Sequence, residues 1–122
     1  MGNKSKQYKL RMDNIILNVR DFSISPGTRE KDEGKNAHSG EEFREDFMIP
    51  KFKDALEEKV KLIIDLDRTV GYGTSWLEEV FGGLTRQFGK EKVNGTLEII
   101  SEEEPYLIDD INGYIEDAEK NN

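Results

Sequence analysis

The segment VKLIIDLD at 60–67 restricts the fold of this chain more than any other. It is almost continuously aliphatic, it ends in acids, and a loop with Gly71 and Gly73 follows it. Such a run reads as a central strand covered on both faces. A strand in that position needs partner strands and helices laid over it, and the flanking segments supply both.

On the amino-terminal side, YKLRMDNIILNVRDFSI suggests two short strands around Met12-Asp13-Asn14, with Ile15, Leu17 and Val19 alternating inward. SPGTREKDEGKNAHSG is a long loop rich in glycine, serine and charge, and such loops in compact domains are usually functional or mobile. Ser39 then reads as a helix N-cap with Glu42 at the third helical position, a capping box. Phe43 and Phe47 lie one turn apart, and Pro50 interrupts the helix because it lacks an N–H. In a second piece Phe52, Ala55 and Leu56 face inward. Beyond the central strand, a helix from about Thr74 spaces Trp76, Leu77, Val80, Phe81, Leu84 and Phe88 at helical period and stops at Gly89. GTLEIIS at 95–101 is a further strand. Pro105 opens a last helix with Leu107, Ile108, Ile111 and Ile115 in one stripe. The order is strand, strand, helix, strand, helix, strand, helix. The fold class is α/β, a mixed sheet of about four strands with helices packed against it. Residues 1–9 read as a flexible basic arm and 10–120 as one domain.

Charge narrows the function classes. The net charge of −8 opposes general nucleic-acid binding, since phosphate is repelled by an acidic surface. Lys4, Lys6, Lys9 and Arg11 cluster at one end without an acid, whereas 98–119 carries acids and no base. The chain has no cysteine, which excludes disulfides and thiolate chemistry. No apolar run reaches the length of a membrane helix, and MGNKSKQYK lacks the hydrophobic stretch of a signal peptide. A soluble, cytoplasmic protein is the expectation.

Enzyme patterns fall short. GYGTS lacks the lysine of a phosphate-binding loop, and Gly73-Thr74-Ser75-Trp76-Leu77 fails the nucleophile-elbow pattern at Leu77. His38 is the sole histidine, and a triad with Ser75 would need the long loop to fold over the site. Asp65 and Asp67 share a strand face and with Arg68 can line a cleft at the strand end. Glu78 and Glu79 point in different directions on a helix, so no metal cluster is expected. Arg29 and Arg44 flank the long loop, where each can meet a phosphate or pair with Glu30, Glu41 or Glu45. A non-enzymatic protein without cofactor or metal is the expectation.

Three features of the helix start carry two readings each. Ser75 followed by Glu78 is itself a capping box, and Ser75 is also placed for modification at the positive end of a helix dipole. Trp76 either fills the space between helix and sheet or stands exposed as an interface anchor. Gly82-Gly83 marks close approach of the helix to another backbone, within the fold or in a partner.

An aliphatic strand LIIDLD, a short loop, a hydroxyl pair and an amphipathic helix together resemble the STAS domain of sulphate transporters and anti-sigma-factor antagonists. GKNAHSGEEFRED followed by IIDLDRTVGYGTSWLEEVFGGLTRQFG is similar, more closely, to the STAS-like domain family of unknown function, over about residues 22–88. In the antagonists the helix opens on Asp-Ser-Ser-Gly-Leu, positions that fall here on Gly73, Thr74, Ser75, Trp76 and Leu77. The hydroxyl pair and the leucine match; the aspartate and the glycine are replaced. The resemblance implies a protein partner, a histidine-kinase-type ATPase acting as an anti-sigma-like regulator. It also implies a docking surface at Tyr72, Gly73, Thr74, Ser75 and Trp76, with Ser75, or second Thr74, as phospho-acceptor. Two rival readings stay open. One is a small-ligand or nucleotide sensor in which Arg29, His38, Arg44 and Asp67 contact the ligand. The other is an acidic antitoxin- or immunity-type protein.

Overall fold

The computed structural model describes residues 14–27, 29 and 39–121. Three strands, β1 (Ile15–Asn18), β2 (Leu62–Asp65) and β3 (Leu97–Ile100), form an all-parallel sheet in the order β1-β2-β3. Ile15 lies opposite Leu62 and Leu62 opposite Leu97, so the rows of side chains run straight across. The further strand expected around Met12 lies outside the described residues, as does the basic arm. Among the described residues the sheet has three parallel strands, and the fourth of the expected mixed sheet falls on residues outside them.

Among the described residues four longer helices accompany the sheet, besides a 3-10 turn at Val19–Asp21. The first, α1, runs over 40–58 as Gly40–Glu42, a π stretch Phe43–Met48 and Ile49–Glu58. The second, α2, runs over 74–88 as Thr74–Leu77, a π stretch Glu78–Gly82 and Gly83–Phe88. Then come α3 (Lys90–Thr96) and, past β3, α4 (Tyr106–Asn121). Ser39 caps α1 as its sequence suggests, its hydroxyl accepting from the Glu42 N–H at 3.0 Å.

Pro50 does not break α1. The Ile49 N–H reaches back five residues to the Arg44 carbonyl, and Pro50 follows that wide turn. A π turn shifts the ladder by one residue, which accommodates the ring without ending the helix. The helix α3 was not anticipated, because KEKVNGT holds one large apolar residue, Val93, and an internal glycine.

The core lies between the helices and one face of the sheet. Leu62, Ile64 and Leu66 are buried together with Phe43, Phe52, Trp76, Val80, Phe81, Leu84, Leu107 and Ile111. On the opposite face Ile63 is half-buried and Ile16 is 60% exposed. The expectation of a strand covered on both faces is thus corrected. Strands that succeed one another in a single direction with right-handed crossovers put their helices on the same side.

Candidate functional site

The carboxyl ends of β1 and β2 lead into two loops that lie side by side. The Val70 N–H donates to the Ile24 carbonyl at 2.6 Å and the Gly73 N–H to the Pro26 carbonyl at 2.8 Å. Gly73 is required here, since a Cβ would stand 2.6 Å from the Gly27 carbonyl oxygen. This strap fixes the residue from which α2 springs. It also turns Ile24 (61% exposed) and Val70 (78% exposed) toward solvent.

Gly73 occupies the N-cap position of α2, with extended backbone and no side chain to cap with. Ser75 is therefore the second residue inside the helix, and the capping-box reading of Ser75 and Glu78 does not hold. Both Thr74 and Ser75 are exposed. Trp76 is fully buried, its ring 5.1 Å from that of Phe43 and 5.6 Å from that of Tyr72. Its reading as a surface anchor is corrected: the helix turns position 76 inward while 74 and 75 face out. Tyr72 is half-buried and donates its hydroxyl to the Leu66 carbonyl at 2.7 Å. Burial holds its phenol well above the ordinary tyrosine range.

The strand-end cleft is occupied by the chain's own bonds. The Asp67 carboxylate accepts the N–H groups of Glu102 (3.2 Å) and Glu103 (3.0 Å), which ties the segment after β3 to the segment after β2. Asp65 pairs with Arg20 at 3.4 Å and accepts the Asp67 N–H. Arg68, with φ of 66°, donates its N–H to Glu103. Asp67 is thus a strut between loops, not an open ligand contact.

Arg44 reaches the expected Glu45, but the closer partners of Arg29 and Arg44 are ones the sequence did not point to. The Arg29 Nη1 lies 2.6 Å from Glu78 Oε1 and 3.2 Å from Glu79 Oε1, and Arg44 Nη2 lies 2.8 Å from Glu79 Oε2. Arg86 closes on Glu78 at 2.8 Å, and Glu45 stands 4.0 Å from Arg44. Glu78 and Glu79 therefore join one network despite their divergent directions, because the Arg29 guanidinium reaches both. The hydrogen bond from Arg86, followed by that from Arg29, holds the Glu78 carboxyl below its usual range against the opposing effect of burial.

The glycine pair of α2 is explained by this network. A Cβ on Gly83 would meet the Arg44 stem at 2.7–2.9 Å, and one on Gly82 would collide with the Glu78 carboxylate. The close backbone approach expected of Gly82-Gly83 is made instead by Gly40, where a Cβ would stand 2.9 Å from the Trp76 carbonyl. His38 lies outside the described residues. Among the described residues no group of three His, Cys, Asp or Glu side chains could hold a metal ion, and no helix is long and apolar enough to cross a membrane.

A family model described as a STAS-like domain of unknown function matches residues 39–107, more than half of the 122-residue chain. The chain belongs to the STAS-like domain family. Neither curated proteins nor solved structures give a match. The matched stretch of this STAS-like domain contains α1, β2, α2, α3 and β3, and with them the hydroxyl pair and the Arg44–Glu79 contact. Ile24 and Arg29 lie before it. Ile24 and Val70 could not be read from the sequence as surface groups, since an isolated aliphatic residue in a loop carries no periodic signal.

Proposed function

We propose that this STAS-like domain is a non-enzymatic, cytoplasmic regulatory module that docks a protein partner over the start of α2. The surface comprises Thr74 and Ser75 together with Ile24 and Val70, over a rigid base of Tyr72, Gly73 and Trp76. Ser75 is the residue whose modification switches docking, with Thr74 as the second acceptor. A histidine-kinase-type ATPase is the partner class that the STAS resemblance implies.

The observation that carries this reading is the exposed Ser75 hydroxyl inside the first turn of a helix already capped by Gly73. The fold does not need that hydroxyl. A phosphoryl group there would add about −1.5 to −2 charges to a helix start whose supporting strap carries two exposed aliphatic side chains, Ile24 and Val70. Such a change alters docking without disturbing the core. The sensor reading draws less support, since Arg29 and Arg44 are held by Glu78 and Glu79, and Asp67 by backbone N–H groups.

The test uses wild type, Ser75→Ala and Ser75→Glu as parallel baits in native lysate, with quantitative comparison of what each retains. A protein held by wild type and Ser75→Ala but lost with Ser75→Glu supports the switch. Equal retention by all three baits overturns it.

A further inference from the structure

At the opposite end of the sheet from Ser75 lies a groove of about 850 Å³. Asn14, Lys61 and Thr96, the residues just before or at the starts of the three strands, contribute to it. Its apolar wall is built by Leu56 and Val60 at the end of α1 and by Ile63 on the outer face of β2. Lys59 and Lys61 stand on its rim, and Glu98 of β3 lines the far side. The volume falls in the range of small-molecule sites, which pair apolar walls with a few fixed polar groups.

Two observations set the chemistry. Lys59 ends α1 in the left-handed conformation, φ 59° and ψ 44°, with its N–H on the Ala55 carbonyl. Glycine is the usual residue at such a position, because a Cβ is disfavoured there. A lysine stands here against that backbone preference, and strained backbone concentrates at functional sites. Its ammonium has no carboxylate partner among the described residues. Lys61 is fixed from both ends: its N–H donates to Asn14 Oδ1 at 3.0 Å and its Nζ to the Gly95 carbonyl at 2.8 Å. An ammonium has three donors, so Lys61 retains further N–H groups for a ligand.

We propose that this groove binds an amphiphilic anion, a carboxylate on an apolar body. The body lies on Leu56, Val60 and Ile63, and the head group pairs with Lys59 and Lys61. Glu98 repels the head group from the β3 side and so directs it toward the Lys59 and Lys61 ammonium groups. The site is independent of the α2 surface and of any modification of Ser75.

The test titrates the full chain with decanoate and decylammonium below their micellar concentrations, and with decanol below its solubility limit, reading amide chemical shifts. Decanoate is expected to bind saturably and most tightly, with shifts centred on 56–63 and 95–98. Lys59→Gly is expected to weaken decanoate about fivefold, the scale of one solvent-exposed ion pair, and to leave decanol unchanged. Glycine suits the backbone at 59, so this variant keeps its melting temperature and a loss of binding is not a loss of folding. Glu98→Gln is expected to tighten decanoate about twofold, since it removes a like charge. Absence of saturable decanoate binding, equal affinity for all three probes, or unaltered decanoate binding by Lys59→Gly would each overturn the proposal.

Discussion

Gly83 is the surface on which the Arg44 side chain rests: a Cβ there would stand 2.7 Å from Arg44 Nε and 2.9 Å from its Cδ. Alanine normally improves a helix interior by about 1 kcal/mol over glycine. At position 83 it instead displaces a side chain held by Glu79, so Gly83→Ala is expected to destabilise by about 1–2 kcal/mol. Gly113 in α4 has nothing within 4 Å of a built Cβ. Gly113→Ala should therefore stabilise by about 0.5–1 kcal/mol. Urea midpoints of the two variants should move in opposite directions.

The network is graded by burial. Arg44 and Glu79 are each 14% exposed at the side chain, whereas Arg86 is 37% exposed. A double-mutant cycle on Arg44→Met and Glu79→Gln should give a coupling of about 1–3 kcal/mol. The same cycle on Arg86 and Glu78 should give under about 1 kcal/mol. Couplings of equal size would contradict the assigned burial.

Acid should weaken the fold partly through Glu78. Its carboxyl is depressed in the folded state, chiefly by the Arg86 hydrogen bond, so its contribution is present above the unfolded value and is lost as pH falls. Wild type should lose urea resistance from about pH 5 downward. Glu78→Gln should start lower at neutral pH and fall less steeply over the same interval. Parallel curves would remove Glu78 from the account.

Trp76 is the chain's single tryptophan and is fully enclosed. Native emission should be blue-shifted and poorly quenched by iodide, moving to the red in one step with urea. Trp76→Ala should cost about 3–5 kcal/mol, the range for truncating a buried aromatic. A water-exposed emission maximum in the folded protein would restore the surface-anchor reading.

Much of this architecture could be read from residue spacing. The run at 60–67 became β2, and the apolar positions 76, 77, 80, 81 and 84 became the buried face of α2. Spacing could not reveal the two π stretches, because a wide turn depends on what packs against it. Pro50 was therefore misjudged as a break, and Gly82-Gly83 as a backbone crossing. The side to which Trp76 turns depends on whether the cap is Gly73 or Ser75, two residues later. Each position of shift rotates the helix by about 100°. The partners of Arg29 lie some fifty residues away in sequence, beyond any local pattern.

The all-parallel sheet constrains how the chain can be made. Among the described residues none of the three strands can pair with its sequence neighbour through a tight turn, so each of their ladders waits for a whole crossover to be completed. During synthesis, β2 would emerge with one edge unpaired until residues 97–100 are released. Val80 and Phe81 would lack the cover of Leu107 and Ile111 until α4 follows. A ribosome-bound chain halted near residue 95 should therefore remain protease-sensitive throughout, and one extended past α4 should become resistant in a single step.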